Sequence, residues 1–155
     1  METITWYCIH FNDLTNTQLY ALLQLRAEVF VVEQNCPYND CDGKDHVSWH
    51  VLGYDSVGEL VAVSRIVPKG VAYPNEPSIG RVLAAQKVRK TGMGKWLMEK
   101  SRQYCEGIFG RTDIRIGAQS YLLHFYGNLG YVSTGKNYLE DGIPHTEMVY
   151  HALPI

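Results

Sequence analysis

The shortages in this sequence are informative. Only 4 of its 155 residues are cysteine (Cys8, Cys36, Cys41 and Cys105), too few for a disulfide scaffold. Reduced thiols and a cytoplasmic setting are therefore expected. No apolar run approaches the roughly 20 residues of a membrane-spanning helix. The opening Met1-Glu2-Thr3-Ile4-Thr5 has no basic segment leading into an apolar stretch, so neither a signal peptide nor a membrane span is expected. Excess charge of one sign is also missing. A net charge of −2 gives no general attraction to nucleic acid or acidic lipid, and neither is expected as a partner. Repeats and low-complexity linkers are absent. The remainder is ordinary for a soluble globular protein, with 46% hydrophobic and 19% charged residues. The length suits one domain, residues 1–155, with a real core.

Against that background, Arg89-Lys90-Thr91-Gly92-Met93-Gly94-Lys95 stands out. It separates an apolar run, Ile79 to Ala85, from a helical pattern of Met93, Trp96, Leu97, Tyr104 and Ile108. The order reads as strand, glycine turn, helix. Glycines allow close backbone approach, and a helix start offers unpaired N–H groups and a positive dipole end. Together these suit an anion such as phosphate. A basic surface turn is the bland alternative. A Walker A loop is excluded because Gly94-Lys95 is followed by Trp96. A dinucleotide fingerprint is excluded because Leu97 stands where its third glycine belongs. Asp113 is spaced tolerably for a ribose-binding acid, but it precedes a strand.

The rest of the chain supplies the frame. Ile4 to Phe11 alternates as a strand. Thr15-x-x-Gln18 is a capping box, and Leu19, Leu22, Leu23 and Phe30 share one face of a helix expected to reach about Val32. Glu33 to Asp45 is a polar loop. Trp49 to Tyr54 and Glu59 to Val67 form a hairpin, and Ile79 to Ala84 a strand before the helix Met93 to Cys105. Ile114 to Ala118 is a strand, and Ser120 caps a short helix carrying Leu123, Phe125 and Tyr126. Tyr131 to Thr134 and Glu147 to Ala152 close the chain, separated by Glu140-Asp141-Gly142-Ile143-Pro144. The order β-α-β-β-β-α-β-α-β-β predicts an α/β (α+β) fold. It would be a central mixed sheet of about seven strands with helices on both faces, a parallel pair at its centre. Ligands in such sheets favour the carboxyl ends of diverging strands, where the glycine turn falls. An exposed strand edge near the C-terminus would suit a homodimer.

Arg89-x-x-Gly92-x-Gly94 after the fourth strand resembles the central motif of the GCN5-related N-acetyltransferases (GNAT). Phe125-Tyr126-Gly127-Asn128-Leu129-Gly130-Tyr131 is similar to a second family segment, with Tyr131 in place of the usual phenylalanine. The stretch Arg26 to Tyr38, together with Gly117-Ala118-Gln119 and Asp141-Gly142-Ile143-Pro144-His145, resembles the ElaA-like branch. The resemblance spans nearly the whole chain, in order.

It implies a GNAT-like acyl-CoA N-acyltransferase fold, with acetyl-CoA as cosubstrate and a small-molecule or peptide amine as acceptor. Amides from Arg89 to Lys95 (Lys90, Thr91, Gly92, Met93 and Gly94 between) would hold the pyrophosphate. Main-chain groups of Val82, Leu83 and Ala84 would pair with the pantetheine arm as a pseudo-strand. Gln119 and Phe125 would flank the same arm. The implied chemistry is direct attack of a neutral amine on the thioester. One proton must leave the ammonium and one group must accompany the departing sulfur. Tyr126 holds the family position for the general acid; a packing tyrosine is the bland alternative. The base stays open among Glu33, His50, Asp141, His145 and water. Each residue has a structural alternative: an ion pair, a core histidine or a turn residue.

Arg65 and Arg81, set in apolar strand runs, would either find acidic partners or bind a substrate carboxylate. Glu33, Asp40, Asp42 and Asp45 would favour a cationic acceptor if they faced the cleft; solvated loop charges are the bland reading. Two rivals remain. One is a non-catalytic acyl-CoA-binding domain, since fold alone does not establish activity. The other is a metal module through Cys36, Cys41, His46 and His50, whose middle spacing is too short for a zinc finger. An EF-hand alignment on Asp42-Gly43 fails, because Tyr38 and Trp49 would occupy ligand positions. No metal is expected.

Overall fold

A computed structural model describes residues 3–152 of the chain. Strand β1 (Thr5–His10) leads to helix α1 (Asn16–Arg26). The predicted capping box is formed: Thr15 Oγ1 accepts from the Gln18 amide at 3.1 Å, and Gln18 Oε1 accepts from the Thr15 amide at 2.9 Å. Beyond Arg26 the helix widens into π-type turns over Ala27–Glu33. The amides of Gln34 and Cys36 close on carbonyls five residues back, at Val29 and Val31. Helical residues thus reach the expected end, in a form the 3.6-residue pattern does not distinguish.

Strands β2 (Trp49–Tyr54), β3 (Leu60–Val67) and β4 (Ser78–Ala84) follow, all antiparallel, and the sheet order is β1-β2-β3-β4. Every residue of β3 is buried, as its apolar run requires for a strand covered on both faces. Alternation sorts the side chains. Leu52, Val63 and Leu83 pack under α1 with Leu22, Leu25 and Val29. Val51, Ala62 and Ile79 pack on the other face with Met93, Leu97 and Met98. Those last residues belong to helix α2 (Met93–Phe109), which ends at Gly110 with φ +77°. The helices therefore cover both faces, as predicted.

Strand β5 (Ile114–Gln119), helix α3 (Leu123–Asn128) and strands β6 (Tyr131–Glu140) and β7 (Ile143–Tyr150) complete the chain, with β7 between β5 and β6. The last hairpin is longer than the sequence suggested. Asp141 and Gly142, at φ +49° and +76°, make a two-residue turn, the tight connection that lets the strands pair up to it. The seven strands among the described residues form two antiparallel sheets, of four and three strands, instead of one continuous mixed sheet. The join is at β4 and β5. The Arg115 amide donates to the Pro77 carbonyl at 3.1 Å, and no ladder between β4 and β5 follows among the described residues. No helix among them is long and apolar enough to cross a membrane.

Candidate functional site

A local defect in β4 helps open the molecule. Val63 pairs with Leu83 but Arg65 with Gly80, so β4 carries one more residue than its partner across that span. This is a β-bulge, and Arg81 within it has φ +46°, a left-handed conformation costing about 1–2 kcal/mol for a non-glycine residue. The bulged strand and β5 diverge over a cavity of about 430 Å³. Its walls come from the π-type segment, the bulge, β5, the start of α3 and the β6–β7 turn.

Of the residues singled out in the sequence, Val82, Leu83, Ala84, Arg89, Gln119 and Tyr126 line this cavity, as do Glu33, Arg65, Arg81, Asp141 and His145. Lys90, Thr91, Gly92, Met93, Gly94 and Lys95 do not; they lie beyond Arg89, where the cavity ends. Lys90 and Gly92 have φ +63° and +84°, a turn that puts Met93 at the first position of α2. The amides of Met93, Gly94 and Lys95 have no helical carbonyl to reach. Arg89's amide does not belong to that set, because it donates to the Gln86 carbonyl at 3.2 Å. Phe125 is also outside the cavity. Its ring faces Gly94, where a Cβ would stand 3.4 Å from Cζ, and it meets Tyr126 edge-on at 5.1 Å.

The aspartates of the Glu33 to Asp45 loop are not solvated charges. Arg26, 1% exposed, donates to Asp40 Oδ2 and Asp45 Oδ1, both at 2.7 Å. Arg65 grips both carboxylate oxygens of Asp42 at 2.8 Å and reaches Asp45 Oδ1 at 3.1 Å. Arg81 sits 2.8 Å from Asp40 Oδ1 and donates to the Asp40 carbonyl at 3.0 Å. Three arginines and three aspartates thus clamp the loop to β3 and β4. Burial alone would raise the carboxyl pKa values of Asp42 and Asp45. The hydrogen bonds and charge of Arg65 and Arg26 outweigh it and hold both below the usual range. Arg65 and Arg81 are therefore already paired, which removes the substrate-carboxylate clamp considered for them.

Tyr126 is 8% exposed, and burial pushes its phenol up to about 12. His145 is 7% exposed and stacks on Tyr138 with centroids 5.5 Å apart. Its Nδ1 lies 2.7 Å from the Ile143 carbonyl. A carbonyl only accepts, so Nδ1 carries the hydrogen, and Nε2 of the neutral ring keeps its lone pair. Glu140 Oε2 stands 3.4 Å from Nε2. Asp141 lies in the turn, and its carbonyl accepts from Cys36 Sγ at 3.7 Å. His50 does not reach the cavity. It is fully buried, its Nε2 is 3.1 Å from the Asp45 carbonyl, and burial lowers its pKa. The proposed metal set does not converge: His46 packs on Phe11 at 4.7 Å, while Cys36 turns to Asp141. Among the described residues no group of three or more His, Cys, Asp or Glu is placed to hold a metal ion.

Several lining residues had not been given a role from the sequence: Tyr38, Gly117, Tyr121 and Glu140. Three of them sit within or beside segments that carried the family resemblance. Tyr121 had no signal.

Residues 27–152 match the family described as Acetyltransferase (GNAT) domain. A UPF0039 protein of Synechocystis is 38% identical, over 97% of each chain. The structure of an acyl-CoA N-acyltransferase from Pseudomonas aeruginosa superposes with a TM-score of 0.87 and 41% identity, covering 95% of this chain and 99% of that one. Escherichia coli ElaA superposes with a TM-score of 0.87 and 40% identity, over 96% and 100%.

Proposed function

Because the chain belongs to the GNAT acetyltransferase family, we propose that it is an N-acetyltransferase moving the acetyl group of acetyl-CoA to a primary amine within a ternary complex. Membership points to an acyl-CoA-dependent N-acyltransferase; the acetyl group, the direct transfer and the residue roles belong to this reading. Residues 1–155 are read as one catalytic domain.

The observation that carries it is the divergence of β4 and β5 over a cavity with a buried tyrosine in its wall. The edge of β4 beyond Pro77 has no partner strand among the described residues, so it suits an extended amide-bearing arm. Main-chain groups of Val82, Leu83 and Ala84 would hold that arm, with Gln119 across from them. The free amides of Met93, Gly94 and Lys95, with those of Lys90, Thr91 and Gly92, would take the pyrophosphate at the dipole end of α2. Phe125 would act behind the turn, through Gly94. Bound acetyl-CoA supplies an activated thioester carbonyl. Tyr126 donates a hydrogen bond to the departing sulfur. His145, with Nε2 as its basic nitrogen, removes the proton from the acceptor ammonium.

The test is a calorimetric titration with acetyl-CoA, followed by an amine panel with thiol detection. Micromolar binding and thiol release with an amine support the reading. Binding without turnover on any amine would leave a non-catalytic acyl-CoA binder. Absence of binding at millimolar ligand would remove the reading.

A further inference from the structure

The Arg89 side chain bridges two walls of the cavity. Its Nε donates to the Ala84 carbonyl at 3.0 Å, and its Nη1 pairs with Glu33 Oε2 at 2.5 Å. All three residues line the cavity. The bridge therefore ties the last residue of β4 to the last residue of the π-type segment. It also occupies a carbonyl of the strand edge assigned above to the pantetheine arm. Both side chains are open to solvent, Arg89 at 36% and Glu33 at 41%, so the pair contributes little stability and breaks readily.

The other cavity arginines differ. Arg65 and Arg81 are each held by two aspartates in the clamp. Among the described residues, Arg89 pairs with one carboxylate, that of Glu33. It also begins the glycine turn, so among the cavity arginines it lies nearest the pyrophosphate position. A guanidinium fork binds such an anion in two-point fashion, which one carboxylate oxygen does not match. Once Arg89 turns to the anion, Glu33 is left without a partner. Glu140 and Asp141 line the same cavity, so uncompensated charge in the cavity is then acidic. A free carboxylate beside the reacting nitrogen would hold its proton on and oppose attack. It suits a second, non-reacting positive charge.

We propose that Glu33 binds a second cationic group of the acceptor, and that Arg89 withholds it until acyl-CoA draws the guanidinium away. The acceptor class is then a diamine or polyamine, and acyl-CoA binds first. This rests on the acyl-CoA reading above.

The experiment compares the native protein with Glu33→Gln. Coenzyme A is titrated by calorimetry, and KM is measured at saturating acetyl-CoA for 1,5-diaminopentane and for pentylamine. Glu33→Gln is expected to bind coenzyme A about threefold more tightly, because the competing carboxylate is gone. It is expected to raise KM about tenfold for the diamine and little for the monoamine. Unchanged coenzyme A affinity, or equal changes in both KM values, overturns the proposal while leaving the acyltransferase reading intact. No coenzyme A binding by the native protein overturns both.

Discussion

Tyr126 illustrates how burial selects a role for one residue. Its phenol, pushed up to about 12, stays protonated throughout the neutral range. A thiol ionises near about 8.5, so full proton transfer from the phenol to a leaving thiolate runs uphill. A hydrogen bond that strengthens as the sulfur gains charge needs no such transfer. Tyr126→Phe should therefore lower kcat about 10²-fold while leaving acetyl-CoA affinity unchanged; equal turnover by the two proteins would take the hydroxyl out of the chemistry. Gly117 makes a second prediction at this scale. A Cβ there would overlap the Tyr138 hydroxyl and stand 3.4 Å from that of Tyr73. Gly117→Ala must displace Tyr138, whose ring stacks on His145. Turnover should fall several-fold more than acetyl-CoA affinity, with steady-state kinetics and calorimetry as the paired measurements.

Among the elements, the loop after α1 is held by charge where the helices are held by apolar packing. Arg26 is buried among carboxylates, and truncating it leaves Asp45 with Arg65 and Asp40 with Arg81 as their remaining arginine partners. Arg26→Met should cost about 3–5 kcal/mol. For a chain of this size that lowers Tm by about 10 °C, measurable by thermal denaturation. The same clamp sets an acid limit. The carboxyls of Asp42 and Asp45 ionise more readily folded than unfolded. Their contribution is therefore full above about pH 4, the unfolded aspartate value, and is lost as pH falls toward the depressed folded values. An Asp42→Asn protein cannot titrate at that position. The stability gap between it and the native protein, from urea midpoints, should be widest near neutrality and shrink below about pH 4; a constant gap from pH 7 to pH 3 would contradict the clamp. Sequence signals at this scale were uneven. Thr15 and Gln18 announced their cap because both partners are local. Asp40, Asp42 and Asp45 read as surface charges because their partners, Arg26, Arg65 and Arg81, lie on three other elements. The π-type turns after Arg26 leave no signal in side-chain periodicity.

At the scale of the whole molecule, the two sheets meet along β4 and β5 at a single backbone bond among the described residues, Arg115 to Pro77. Element order was legible because strand and helix periods are local. The split was not, since it depends on the β4 bulge, and nothing in Gly80-Arg81-Val82 marks a non-glycine residue at φ +46°. The cavity residues were legible where the family resemblance reached them, including Glu33 of the π-type segment and Asp141 and His145 by the β6–β7 turn, whereas Tyr121 carried no signal. This architecture makes a prediction that involves both sheets. An arm that pairs with β4 and packs against β5 would add main-chain bonds across a seam that the shared apolar core otherwise holds. Acetyl-CoA at about 100 times its Kd should stabilise the fold by about 2.7 kcal/mol, raising Tm by about 5–10 °C. If the arm lies where β4 diverges, amide exchange should slow at Val82, Leu83 and Ala84 and at the first turn of α2, while β1 and β2 stay unchanged. The two measurements are needed together. A Tm rise with no added protection at β4 would place the ligand elsewhere on the protein, and the open strand edge would then need another explanation.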